Sequence, residues 1–295
     1  MQPLVNAMTV DVEDYFQVSA FETHIPRDRW ERLPCRVERN VDRILALFEA
    51  QQVSATFFVL GWIAERYPQM VRRMSETGHE VASHGYEHVR VVNQTPDAFR
   101  QDIRRTKALL EDITGRAVRG YRAASYSIGR DNLWALDELQ AAGHDYSSSI
   151  YPIHHDLYGM PEAPRFAFRH PGEGGILEVP VTTVMMGRRK FPCGGGGYFR
   201  LLPYSVSRWA VRRVNERDRE AAVFYFHPWE IDPAQPRQTG VGLKTRVRHY
   251  LNLSRTEARL TRLLQDFSWD RMDRIFLQPP VESASTAAAE TGKAG

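Results

Sequence analysis

Thiols are scarce in this chain of 295 residues: Cys35 and Cys193 stand far apart, and neither belongs to a paired-cysteine spacing. A disulfide framework and a thiolate zinc cage are both excluded, and two unpaired thiols suit a reducing compartment. No stretch approaches the roughly 20 consecutive apolar residues that a membrane-spanning helix needs. The first residues, 1–14, carry acidic groups inside their apolar stretch and lack a basic leader, so no secretory signal is evident and a cytoplasmic location is expected. Charge of one sign is lacking as well. Lys and Arg number 39 against 36 Asp and Glu, a net +3, which gives no reason to expect nucleic acid as a partner. There is no internal repeat.

The chain does have an ordinary globular supply of apolar residues, 42% against 25% charged, enough for a sizeable core. Its length exceeds that of an average domain but falls within the range of barrels of alternating strands and helices. Short apolar runs at residues 7–12, 55–60, 80–83, 118–121, 176–181 and 222–227 predict strands. Amphipathic stretches at 37–51, 61–77, 95–114 and 130–142 predict helices, with Gly78, Gly115 and Gly143 as stops. Strand and helix alternate, which favours a parallel α/β barrel or sheet. Beyond about residue 145 the pattern loosens into a segment rich in Pro, Gly and aromatics, with four glycines at 194–197. Basic amphipathic helices are expected near 205–219 and 256–267, and a disordered tail from Gln278 to Gly295.

In such folds reactive groups gather at the carboxyl ends of strands, where the loops converge. His84 and His88 follow the third run four residues apart, so both can face one metal ion if the segment makes a helical turn. A divalent ion with two neutral nitrogens needs an anionic oxygen, and Asp11, Glu13 and Asp14 at the end of the first run can supply it. Asp11 and Glu13 share a face of an extended strand, and Asp14 joins them only if the chain turns. Arg122 ends the fourth run. His227 ends the last one, directly before Pro228, where it can act as a general acid. Tyr126, Tyr198 and Trp229 are candidate walls for stacking sugar rings, although aromatics beside strand ends more often pack the core.

In this order, the acidic cluster, Ser83-His84-Gly85-Tyr86-Glu87-His88, the Gly120-Tyr121-Arg122 turn and Phe226-His227-Pro228-Trp229-Glu230 resemble the polysaccharide deacetylase family. These are also called NodB-homology proteins, or family four carbohydrate esterases. Residues 9–22, 194–204 and 226–232 look like an exosortase-associated exopolysaccharide subgroup with a carboxyl-terminal extension. The resemblance implies a distorted parallel (β/α) barrel over residues 1–276, residues 150–276 being an extension packed on it, and a tail at 277–295. It implies a divalent metal, zinc or else cobalt or nickel, held by His84, His88 and either Glu13 or Asp14. Asp11 would be the catalytic base, Arg122 its orienting partner and His227 the acid. Ser147 falls where the family often has the aspartate that supports the acid, which leaves Asp156 as a substitute. The implied reaction is removal of N-acetyl groups from an N-acetylhexosamine-containing exopolysaccharide or its lipid-linked precursor, with membrane-surface association only through such a substrate. Other readings are a deacylase of peptidoglycan or of small N-acyl or cyclic amides, and a catalytically silent glycan-binding barrel.

Overall fold

A computed structural model describes residues 4–155, 159–172 and 174–277. Its centre is a curled, open sheet of mostly parallel strands. The strands are β1 (Val5–Val12), β2 (Thr56–Val59), β3 (Glu80–Ser83), β4 (Gly120–Tyr121), β5 (Tyr146–Ser147), β6 (Phe168–Arg169), β7 (Leu177–Glu178), β10 (Val223–Phe226) and β11 (Ser268–Asp270). The hairpin β8 (Thr183–Met186) and β9 (Arg189–Pro192) stands apart from them. The sheet order is β10-β1-β2-β3-β4-β5-β7-β6, with β11 also pairing with β1; only β6 runs antiparallel. The sheet is therefore a half-barrel of the expected α/β class rather than a closed ring.

The apolar runs become strands because parallel sheets are covered on both faces. Seven of the eight residues of β1 are buried, as are all four of β2 and of β3. The covering helices are α1 (Val37–Ala50), α2 (Gly61–Arg66), α3 (Pro68–Glu76), α4 (Pro96–Thr114) and α5 (Trp134–Ala141). They are followed by α6 (Gly196–Leu201), α7 (Tyr204–Arg213), α8 (Leu243–Tyr250), α9 (Leu253–Asp266) and α10 (Met272–Phe276). The single helix expected at 61–77 is two helices. Pro68 disfavours helical backbone at Tyr67 and has no N–H to continue the first helix, yet it fits the first turn of the second.

The second half of the chain does more than lie against the first. Its strand β10 pairs with β1 from Ala7↔Val223 to Val10↔Phe226, and β11 pairs with the start of β1, from Val5↔Ser268 to Ala7↔Asp270. Beneath the sheet, α10 brings Met272 to within 4.0 Å of the Arg122 guanidinium, and the Met272 amide donates to the Thr56 hydroxyl. Among the described residues no helix is long and apolar enough to cross a membrane.

Candidate active site

The carboxyl ends of β1, β3, β4 and β10 open onto a cavity of about 490 Å³, lined by Asp11, Glu13, His84, His88, Tyr126 and His227 among others. Asp11 is the penultimate residue of β1. After it the chain turns, with the Glu13 amide donating to the Asp11 carbonyl at 3.0 Å, so Glu13 stays on the cavity side. Asp14 does not. Its carboxylate accepts from the backbone amides of Tyr15 (2.8 Å), Arg36 and Val37 (2.9 Å), which places it at the amino end of α1, where unpaired amides favour an anion. Of the two candidate metal carboxylates, the structure puts Glu13 beside the imidazoles and Asp14 elsewhere.

His84 and His88 come together without the helical turn expected from their spacing. The segment after β3 is a loop with left-handed backbone at Gly85 (φ 73°) and His88 (φ 52°). Arg27 pins it by donating to the carbonyls of Glu87 (2.8 Å) and His88 (3.2 Å), and Asp102 by accepting from the Tyr86 amide. An unfavourable conformation at a non-glycine residue persists only when its surroundings hold it, and such strain clusters at functional sites.

Ligand atoms of Glu13, His84 and His88 lie within 4.8 Å of one another, and all three residues are buried. The donor set fits a divalent cation in three respects. The Nδ1 of His84 donates to the Arg122 carbonyl at 2.8 Å, which fixes the tautomer and leaves Nε2 with a lone pair. Burial, together with neighbouring cationic groups at His88, pushes both imidazoles down from their ordinary value, so both are neutral. The Nε2 of His88 approaches Glu13 Oε2 to 3.0 Å, yet that oxygen is buried without a hydrogen bond among the described residues. An anionic oxygen in that condition is costly unless a cation meets it. Burial accordingly raises the Glu13 carboxyl to about 7 in the metal-free protein.

Asp11 lines the same cavity. Arg122, fully buried, donates to Asp11 Oδ1 at 2.6 Å and to the hydroxyl of Thr9 at 2.7 Å, and its other nitrogens reach the carbonyl (3.2 Å) and hydroxyl (3.0 Å) of Ser148. Its guanidinium lies 4.0 Å over the Phe58 ring. Burial would push the Asp11 carboxyl up, but the Arg122 charge, with His84 and His227, outweighs it and leaves it below the usual carboxylate value. Tyr126 lines the cavity with its hydroxyl 3.4 Å from Asp11 Oδ2.

His227 follows β10 and points Nε2 between the two carboxylates, 4.0 Å from Asp11 Oδ2 and 3.4 Å from Glu13 Oε1. Its side chain is 19% exposed, enough for a bound molecule to reach. The Nδ1 lies 2.7 Å from Glu230 Oε1. Burial works against charge on this ring, but Glu13, Glu230 and Asp11 overcome it and raise it to about 9, while Arg200 and His227 bring Glu230 down to about 2 against its burial. Trp229 stacks on the His227 ring (centroids 5.1 Å apart) and on His249 (4.1 Å), and its indole N–H donates to Glu13 at 3.3 Å.

Glu230 is the functional residue that the sequence reading missed. The substitute named from sequence, Asp156, lies outside the described residues, as does the tail from Gln278. Asp145 is an exposed partner of Arg119, and Ser147 hydrogen-bonds Ser149. The available signal was the three-residue spacing of His227 and Glu230, which in a tight turn brings a side chain back onto its own start. Of the proposed sugar-stacking residues, Tyr126 and Trp229 line the cavity, whereas Tyr198, half-buried on α6, is not among its lining residues.

The class this geometry defines agrees with comparisons to known proteins. Residues 29–146 match the polysaccharide deacetylase family, and residues 148–277 match a domain of unknown function, DUF3473. The first match, 118 of the 295 residues, makes that part of the chain similar to the polysaccharide deacetylases. That match includes His84, His88 and Arg122; Asp11 and Glu13 precede it, and His227 and Glu230 lie in the second. A peptidoglycan-N-acetylglucosamine deacetylase of Bacillus cereus is 32% identical over 97 residues, covering 32% of this chain and 35% of that protein. A peptidoglycan deacetylase of Helicobacter pylori is 31% identical over 86 residues, 29% of each. The chain thus aligns with about a third of the length of these relatives. A crystal structure from Mycobacterium smegmatis, named for the polysaccharide deacetylase class, shares the fold with a TM-score of 0.60 at 20% identity, covering 93% of this chain and 92% of that one.

Proposed function

We propose that this protein is a metal-dependent hydrolase that removes N-acetyl groups from an N-acetylhexosamine-containing polysaccharide. The observation that carries the reading is the convergence, in one cavity, of an ionised carboxylate (Asp11 on Arg122), a neutral metal-ligand set (Glu13, His84, His88) and a carboxylate-backed imidazole (His227 on Glu230). Two separate proton carriers flanking a Lewis-acid site match what amide hydrolysis needs, a base for water and an acid for the departing amine.

Glu13, His84 and His88 would hold the cation, zinc or else cobalt or nickel, which when bound supplies Lewis acidity to the acetamide carbonyl. Asp11 takes a proton from the attacking water, and Arg122 keeps that carboxylate ionised and aimed. As the C–N bond breaks, His227 delivers a proton from Nε2 to the leaving nitrogen, so acetate and a free amine result. Tyr126 and Trp229 give the sugar ring apolar surfaces, in keeping with pockets that orient a ligand by a few polar groups among aromatics. An exopolysaccharide or its lipid-linked precursor is the substrate favoured by the motifs at residues 9–22, 194–204 and 226–232. Peptidoglycan is the second reading, favoured by what the two bacterial relatives are named for.

Asp11→Asn tests the scheme. It keeps size and most hydrogen bonding while removing the base, so bound metal should persist while acetate release from N-acetylglucosamine oligomers drops about a hundredfold to ten-thousandfold. Near-normal release by that variant would overturn the assignment.

A further inference from the structure

Arg200 on α6 is only 2% exposed, and a buried guanidinium is tolerated only when its charge and donors are satisfied. Its Nε donates to Glu230 Oε2 at 2.6 Å. The remaining nitrogens donate to the carbonyls of Arg248 (3.0 Å), His249 (2.9 Å) and Leu251 (3.0 Å), the open acceptors at the end of α8. The same carboxylate turns its other oxygen to the ring and the backbone amide of His227. One turn before Arg200 lies Gly196, where a Cβ would come within 2.3 and 2.4 Å of the two Glu230 oxygens. A flexible carboxylate could ordinarily swing aside, but this one is buried and bonded on both oxygens, so moving it breaks the contact with His227. Gly194 and Gly195 lie equally close to β10, their missing Cβ positions falling 2.4 Å from the Val223 carbonyl and 2.6 Å from the Tyr225 ring. The glycine run, which the catalytic scheme leaves unused, is what lets α6 approach the end of β10.

We propose that Gly196 and Arg200 are positioning residues for the acid, a clamp in which α6 holds the Glu230 carboxylate and so aims the His227 Nε2 proton at the departing amine, with α8 tied to the same point. The inference rests on the deacylase reading. The proton moves from Nε2 to the amine nitrogen as the C–N bond breaks, leaving a neutral imidazole, and no further reactant is needed. An amine requires that proton in order to leave; 4-nitrophenolate, a stable anion, does not. The clamp is therefore visible in a ratio of substrates.

The experiment compares acetate release from tetra-N-acetylchitotetraose with hydrolysis of 4-nitrophenyl acetate in metal-loaded wild type, Gly196→Ala, Arg200→Met, Arg200→Lys and Glu230→Gln. Expected are at least a tenfold loss of kcat on the amide with KM little changed, less than a threefold change on the ester, and partial recovery in Arg200→Lys over Arg200→Met. Equal loss on both substrates in folded variants, or no loss on the amide, overturns the clamp and leaves the deacylase reading standing. If wild type releases no acetate from the amide, that reading is what fails. The low-field proton resonance of the His227 ring, which needs no turnover, then decides the clamp. The signal should be present in wild type and absent in Glu230→Gln, and its persistence unchanged in both Gly196→Ala and Arg200→Met overturns the proposal.

Discussion

Replacing Arg122 with Met should show how far the floor of the site depends on one ion pair. The side chain is fully buried, and its loss strips four hydrogen bonds, one to Asp11, one to Thr9 and two to Ser148. Met has comparable length and fills much of the space over Phe58, so the cost is chiefly electrostatic: Asp11, 2% exposed, is left without its cation. Breaking one side of a buried pair costs about 3–5 kcal/mol, because the surviving charge cannot reach water. At about 2–4 °C per kcal/mol for a domain approaching this size, the melting temperature in chelator should fall by roughly 6–20 °C at pH 7.5. Asp11→Asn in the same background removes the stranded charge, so the double variant should melt above Arg122→Met by several degrees. The assay is calorimetry of the four proteins of the cycle. A fall of under 2 °C in Arg122→Met, or a double variant no more stable than that single one, would refute the reasoning, since it would mean that the Asp11 charge is relieved by something other than Arg122.

The remaining predictions concern the metal cluster and acid stability. His84→Ala, His88→Ala and Glu13→Ala should each lose stoichiometric zinc in equilibrium dialysis. Asp14→Ala should keep it but lose about 1–2 kcal/mol of stability with its amide contacts at α1; zinc loss in Asp14→Ala alone would reverse the ligand assignment. His79, His144 and His249 are buried and held down to about 4, 3 and 3, by burial first and then by nearby charges that include Arg271, Lys107 and Arg200 respectively. Lowered histidines leave the unfolded chain binding more protons below pH 6.5, so their contribution is whole above that pH and declines as pH falls toward 3. At pH 5.5 each costs about 1.4 kcal/mol, roughly 4 kcal/mol together. Glu13 and His227, both raised, change stability in the opposite direction over this range, so the test compares variants: His144→Gln should lose about 1.4 kcal/mol less than wild type between pH 7.5 and 5.5, and an identical pH dependence of melting in the two proteins would contradict this.

Much of the site was legible because strand ends are legible. Asp11, His84, Arg122 and His227 each close or follow an apolar run, and a parallel sheet sends all such ends to one side. The conformation joining His84 to His88 was not, because it depends on Arg27 and Asp102, which no local spacing reveals. Glycines 194–196 stand in a segment where the sequence pattern loosens; their need to be glycine comes from Val223, Tyr225 and Glu230, neighbours only in space. Tyr198 drew attention as an aromatic, whereas the residues of α6 that meet Glu230 are Gly196 and Arg200. Asp14 could not be told from Glu13 without knowing that α1 begins beside it.

The position of β1 bears on how the protein is made. This strand is synthesised before two of its partners, β10 and β11, which lie more than two hundred residues later in the sequence. On a ribosome adding about 5–20 residues per second, its apolar face and open edge wait roughly 10–50 s for them. Pairings this distant in sequence slow folding, and an unpaired hydrophobic strand is a template for association with other chains. Yield of soluble protein should therefore depend on translation speed, temperature and holdase chaperones more steeply than the stability of the finished fold suggests.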